Sequence, residues 1–452
     1  MAPTAKSQKP VQTQDDLLEL FFDSMKPRAR WRIGTEAEKV SVRTDDFGAV
    51  PFEGPRGVRA VLAELAERHG WFEETETDGG EVIALRRGEA SITLEPGAQL
   101  ELSGAPQATA HQTCAEFRGH LAELRDIASE LGICFLGLGF HPFAKREDLP
   151  LVPKLRYGVM REYLPTRGSL ALDMMLRTCT VQSNLDYSDE ADAVRKMRIA
   201  LAVQPIVTAM FANSPIVEGR LTGERSFRAR VWLDMDPDRT GLLPFAWRDD
   251  FTIARYVEWA LDVPMFLVKR EGRILRNTGQ TFRAFMKDGF EGERANAADW
   301  ETHVNTLFPE VRLKRTIETR GADAPPSGMI CAQPALWKGL LYCPVAIAKA
   351  EQLASRISYD DAVRARPEIA AKALRAKLGN REVGEWANEL VSIAMGGLAH
   401  LSNLNRSGED ERVHLAKLDA LLQKGQCPAD ALLEKLDPKL PLAPQVVEHT
   451  RG

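Results

Sequence analysis

The sequence predicts an α+β fold built on a mainly antiparallel sheet, and three observations point to it. Four segments alternate apolar and polar residues with the period of two that a half-buried strand requires: Trp31 to Val42, Glu81 to Arg87, Ser91 to Ser103 and Thr178 to Tyr187. They follow one another through short turns or single helices, whereas a doubly wound parallel sheet would demand strict strand–helix alternation. From Pro344 onward the pattern turns helical, so 344–452 reads as a mostly helical region.

Residues 1–12 are polar with two prolines and read as a disordered tail, ahead of a single domain over 13–452. Thr13 followed by Asp16 is a capping box, and Leu17, Leu18, Phe21 and Phe22 then share one helical face. Val58, Val61, Leu62 and Leu65 mark a second helix stopping at Gly70. A third opens on Thr109 with Gln112 and stops at Gly132. The continuous apolar run Ile133 to Phe140 predicts a buried strand. In the C-terminal region the helices are read around Ala348 to Ile357, Ala370 to Leu378, Val383 to Leu404 and Arg412 to Leu422.

Composition narrows the function classes. The 59 basic and 64 acidic side chains nearly cancel, so no global field favours nucleic acid or an anionic membrane. No apolar run is long enough for a membrane helix, and the first residues lack the apolar core of a secretory signal. The six cysteines are scattered without a CxxC, which argues against a disulfide scaffold or a zinc ribbon. The expected location is the cytoplasm, in a reducing environment. GxxxxGK[ST], HExxH and GxSxG are all absent, so a nucleotide would have to lie on the sheet itself.

The chemistry lies in what the strands show on their polar faces, because residues two apart point the same way. Glu36 and Glu38 point together, as do Glu95, Gln99 and Glu101, with Pro96 and Gly97 marking a bend. Thr178 to Tyr187 sets Gln182 and Asn184 opposite Val181 and Leu185. Val311 to Arg320 sets Arg312, Lys314, Glu318 and Arg320 opposite Leu313 and Ile317. Paired in one sheet, these strands gather carboxylates beside cations. Crowded carboxylates repel unless a cation intervenes, and Mg²⁺ takes such hard oxygen ligands while leaving room for phosphates.

The blocks IGTEAEKV, SITLEPGAQLELSGAP, HQTCAEF, FLGLGFHP, SLALDMMLRTCTVQSNLDYS, FANSP, DRTGLLPF, ALDVPMF and FPEVRLKRTIETRGAD, in this order, resemble the plant and proteobacterial class of glutamate–cysteine ligases from about Ile33 to Tyr342. The resemblance implies a glutamine synthetase-like catalytic domain whose curved antiparallel sheet of about six strands floors the active site. It implies ATP and Mg²⁺, with Mn²⁺ able to stand in, as cofactors, and L-glutamate and L-cysteine as substrates joined through a γ-glutamyl phosphate, the first step of glutathione synthesis. Glu36, Glu38, Glu95 and Glu318 would ligate the metal, with Glu38 and Arg320 catalytic. Arg156 and Arg228 would bind the glutamate carboxylates, and Gln182 and Asn184 would lie near the metals. Cys114 and Cys331 match positions that form a redox-sensitive disulfide in plant members, two free buried thiols being the alternative. A related ligase with another amine acceptor, or a non-catalytic binding protein of the same fold, are the competing readings, and the partners expected are small molecules around a monomer or homodimer.

Overall fold

Local chemistry places the first helices. In this computed structural model, which describes residues 8–76, 79–270 and 273–451, Thr13 caps the helix Gln14–Phe22 in a reciprocal box with Asp16. Thr109 does the same with Gln112 for Ala110–Leu131. That helix and Val58–His69 each end on a left-handed glycine, Gly132 at φ 65° and Gly70 at φ 67°, where a side chain would be strained.

Among the described residues the sheet has nine strands, against about six implied by the resemblance: β1 Ile33–Arg43, β2 Phe72–Thr75, β3 Val82–Arg87, β4 Ala90–Leu94, β5 Leu100–Ser103, β6 Ile133–Leu136, β7 Val181–Leu185, β8 Val311–Leu313 and β9 Ile317–Thr319. Their order is β8-β9-β7-β1-β5-β4-β3-β2, with β6 on the far half of β1. Every pairing is antiparallel. Part of the excess arises where one long strand was expected. Ser91 to Ser103 folds back at Glu95–Ala98, where the Glu95 and Ala98 amides bond Gln99 and Glu95 carbonyls and Ala98 sits at φ 64°. Val311 to Thr319 is likewise a hairpin, and the strand expected over Ile133 to Phe140 ends at Leu136.

One face of the sheet is apolar. Ile33, Ala37, Ile92, Leu94, Leu100, Leu102, Val181, Leu185 and Ile317 are all buried there. Helices Ala110–Leu131, Glu190–Met210 and Ala332–Leu341 pack behind this sheet, and the same hydrophobic core extends from Val11 to Ala429. Burying that face leaves the other, polar face of the central strands to line a cleft.

Two further expectations fail. Residues 8–12 are not a disordered tail: Val11 is buried, its amide bonds the Ala295 carbonyl at 3.1 Å, and the Lys9 carbonyl accepts from Ala297 at 2.9 Å. These bonds and an apolar side chain offset the ordering entropy; residues 1–7 lie outside the described residues. The helix expected over Ala370 to Leu378 is displaced toward the N-terminus. Ser358 caps Tyr359–Lys372, the chain leaves the helix at Ala373 with φ 48°, and Lys377–Leu378 pairs with Arg381–Glu382.

Candidate active site

Strand register brings the carboxylates together. Glu38 on β1 stands directly opposite Glu101 on β5, and Glu36 directly opposite Gln182 on β7, so paired side chains start about 5 Å apart. Glu95 enters from the β4–β5 turn, which is pinned because a Cβ on Gly97 would lie 2.1 Å from the Leu176 carbonyl oxygen. Glu36, Glu38, Glu95 and Glu101 line one side of a cleft of about 550 Å³. Glu38 accepts from the Thr180 amide at 2.9 Å. Burial, then repulsion from Glu95 and Glu101, pushes its carboxyl well above the usual range. Burial, with Glu36 and Glu95, pushes Glu101 up to about 8. Too many negative charges face too little positive charge here, which is the electrostatic signature of a cation-binding set.

On the other side of the cleft the balance reverses. Glu318 is fully buried, and burial alone would raise its pKa. Arg312 at 2.8 Å, Lys314 at 2.5 Å and Arg320 at 2.7 Å outweigh that and hold it well below the usual carboxylate range. Arg320 Nη1 also donates to Gln182 Oε1 at 2.7 Å, so one guanidinium bridges β9 and β7. Asn184 lies at the edge of this group, donating to Glu36 at 2.8 Å and accepting from Thr316 at 3.1 Å.

Arg228 is buried, with Nη2 donating to the Arg320 carbonyl at 2.8 Å and Nη1 lying 3.9 Å from Asp323. Asp323 is itself fixed by the Asn213 amide at 2.8 Å and by the Ser214 and Ser226 hydroxyls at 2.6 and 2.8 Å. Arg156 lines the far wall, donates to the Tyr157 hydroxyl at 3.2 Å, and feels Glu95 and Glu101. Beside it Lys154 bonds the Leu94 carbonyl at 2.7 Å, and burial draws its pKa down to about 8.

Glu36, Glu38, Glu95, Gln182, Glu318, Arg156, Arg228 and Arg320 thus line one cleft, with Asn184 touching it through Glu36. Glu101, Lys154 and Lys314 join them without having been given a role from the sequence. For Glu101 the signal was present in its shared parity with Glu95 and Gln99. Asp323 follows the last strand at an isolated bridge to Thr180, which is too short to show a period. Cys114 and Cys331 lie outside the cleft lining, with Cα atoms 5.7 Å apart and sulfurs bonded to each other.

The model of glutamate-cysteine ligase family 2 matches residues 32–450 of the chain. Among similar proteins, glutamate–cysteine ligase B, chloroplastic, of Oryza sativa subsp. japonica is 43% identical over 430 residues, covering 94% of this chain and 84% of that one. The chloroplastic glutamate–cysteine ligase of Arabidopsis thaliana is 42% identical over 425 residues, covering 93% and 79%. A solved glutamate–cysteine ligase of Francisella tularensis, in complex with AMP, shares the fold with a TM-score of 0.56 at 12% identity, over 93% of this chain and 87% of that one. The cytoplasmic location expected from the sequence is overturned by the rice and Arabidopsis relatives, both of which are chloroplastic by name.

Proposed function

The chain belongs to glutamate-cysteine ligase family 2 and is an enzyme joining glutamate to cysteine, and from that premise we propose a division of labour in its cleft. The observation that carries it is a single cleft in which Glu36, Glu38 and Glu101 on the polar sheet face, with Glu95 from the β4–β5 turn, meet Arg156 and Arg228 from two helices and Arg320 just beyond β9. The reaction runs in two displacements. The γ-carboxylate of L-glutamate attacks the terminal phosphorus of ATP and ADP departs; the L-cysteine amine then attacks the acyl carbon, phosphate leaves, and the new amide keeps the nitrogen.

Arg156 and Arg228 hold the carboxylates of glutamate, their planar forks matching carboxylate geometry. Arg320, oriented by Gln182 and Glu318, is aimed at the phosphoryl group in transit, where charge spreads over the equatorial oxygens. Gln182 and Asn184 fix Arg320 and Glu36 respectively.

The acidic set fits Mg²⁺: Glu38 and Glu101 are pushed up by burial and by one another's neighbours, and all the donors are hard oxygens. Glu36, Glu38 and Glu95, with Glu101, would hold the ion, and Glu318 joins them only when Lys314 gives way. When bound, Mg²⁺ neutralises the triphosphate and the charge developing on it, and Mn²⁺ suits the same oxygens. We read 13–452 as one catalytic domain around this cleft.

An ADP-release assay across amine acceptors tests the reading. Saturation by L-cysteine in the presence of L-glutamate, ATP and Mg²⁺ is the expected result; turnover with a different amine and none with cysteine would replace it with a related ligase.

A further inference from the structure

Cys114 sits in the first turns of the helix Ala110–Leu131, and Cys331 immediately precedes Ala332–Leu341. A third segment, the turn Glu411–His414, closes over them and presents His414 Nδ1 at 3.3 Å from Cys114 Sγ. The other ring nitrogen of His414, Nε2, is 2.9 Å from His111 Nδ1, and His111 Nε2 is 3.1 Å from the Asn403 carbonyl oxygen.

With both rings neutral, this relay sets which nitrogens carry the protons. A carbonyl oxygen only accepts, so His111 Nε2 carries a proton and His111 Nδ1 carries a lone pair. That lone pair accepts from His414 Nε2–H, which leaves the lone pair of His414 Nδ1 directed at sulfur. A disulfide sulfur has no proton to offer it. Cys114 Sγ, Cys331 Sγ and a His414 ring nitrogen all lie within 4.8 Å of one another. Cys331 and His414 are partly exposed, which leaves an approach from solvent.

We propose that, once the Cys114–Cys331 bond is reduced, Cys114, Cys331 and His414 form a binding site for a soft divalent cation of the Zn²⁺ class, with His111 positioning the His414 ring. Two thiolates and one imidazole from three segments are a ligand set that Zn²⁺ favours, with a fourth position left for water. Its second ring nitrogen held by a fixed acceptor is how a metal-bound histidine is oriented. The reduction balances with a dithiol reductant: it supplies two electrons and two protons, the S–S bond breaks, two thiols form, and the reductant leaves as its own disulfide. The ion then displaces both thiol protons. Disulfide and metal therefore exclude each other, and the site is loaded only under reducing conditions.

Co²⁺ titration of the full-length reduced protein tests this, because thiolate-to-cobalt charge-transfer absorption reports sulfur ligation and ignores the carboxylates of the cleft. A single equivalent should produce that band, Zn²⁺ should bleach it, and roughly two protons should be released per ion bound. The oxidised protein, whose fold is intact, should show no band, and Cys331→Ser should lose it. His111→Ala should weaken binding about 10- to 100-fold, and His414→Ala more. No thiolate band in the reduced protein, an equal band in the oxidised protein, or unchanged affinity in His414→Ala would each overturn the proposal.

Discussion

Glu38 and Glu101 face each other across β1 and β5, and their charges, together with those of Glu36 and Glu95, need a cation for the cleft to be stable with all four ionised. Glu38→Gln is expected to reduce ATP turnover by about 100-fold or more, the loss typical of one electrostatic group aimed at a reacting centre, while leaving the circular-dichroism spectrum unchanged; retained turnover would remove Glu38 from the metal set. Arg320→Lys tests the fork instead. Nη1 alone makes both bonds, so a lysine can keep the bridge but loses the second guanidinium nitrogen that the fork offers the phosphoryl group, and kcat should fall with a smaller change in KM for glutamate. Away from the site, His120 is buried and neither ring nitrogen has a hydrogen-bond partner among the described residues. Burial, with Lys39 and Arg87 nearby, lowers its pKa to about 3. The unfolded chain binds this proton below about pH 6.5 and the native chain refuses it, so stability is complete above that pH and is lost as pH falls toward 3. Between pH 7 and 5 this one group should cost about 2 kcal/mol, and urea unfolding at the two pH values should show a correspondingly smaller loss in His120→Leu. At this scale the sequence was informative wherever a residue sat on a regular strand: parity alone put Glu36 with Glu38 and Gln182 with Asn184. It was silent on Asp323, because a single bridge to Thr180 has no period to read.

Among the elements, the two hairpins explain why reading each as one strand still grouped the correct residues. Leu94 pairs with Leu100 and Thr93 with Glu101, while Arg312 pairs with Glu318. In each case the paired positions are of equal parity, so the reversal leaves odd and even residues on the same faces they would occupy in a continuous strand. What the alternation cannot reveal is the reversal itself. In the first hairpin that depends on Gly97, which passes against the Leu176 carbonyl, and on Ala98 at φ 64°. Gly97→Ala should force that contact apart, destabilise the protein by about 1–3 kcal/mol and raise the KM for ATP by displacing Glu95; a thermal midpoint and a KM both equal to those of the wild type would show that the turn has room to give. Helix ends were legible for the opposite reason. Capping pairs such as Thr109 with Gln112, and stops such as Gly132, act within four residues of themselves. The displaced helix at 359–372 shows the cost of a missing stop, since it ends at Ala373 and no glycine or proline marks the place.

At the scale of the whole molecule, a buried ion pair ties the C-terminal region to the helices Ala332–Leu341 and Ala110–Leu131, which pack behind the sheet. Lys338 Nζ bonds Glu411 at 2.6 Å and the Ala108 carbonyl at 2.9 Å, and Glu411 also accepts from the Ala110 amide at 2.5 Å and from Asn403 at 2.9 Å. Glu411→Ala leaves Lys338 buried without its counter-charge and should lower unfolding free energy by about 3–5 kcal/mol, whereas Lys338→Met with Glu411→Leu should lose much less; equal losses in equilibrium denaturation would refute the pairing as the cause. The sequence by itself determined which face of each strand is polar and where the early helices start and stop, because these depend on backbone periods and caps that act within a few residues; its blocks from Ile33 to Tyr342 carried the family resemblance. Only the tertiary structure decided which strands are neighbours, that Glu101 stands opposite Glu38, that Glu318 is enclosed by three cations, and that His414 meets Cys114 across 300 positions. Those pairings come from burying one continuous apolar face against distant helices, a constraint that no local pattern encodes.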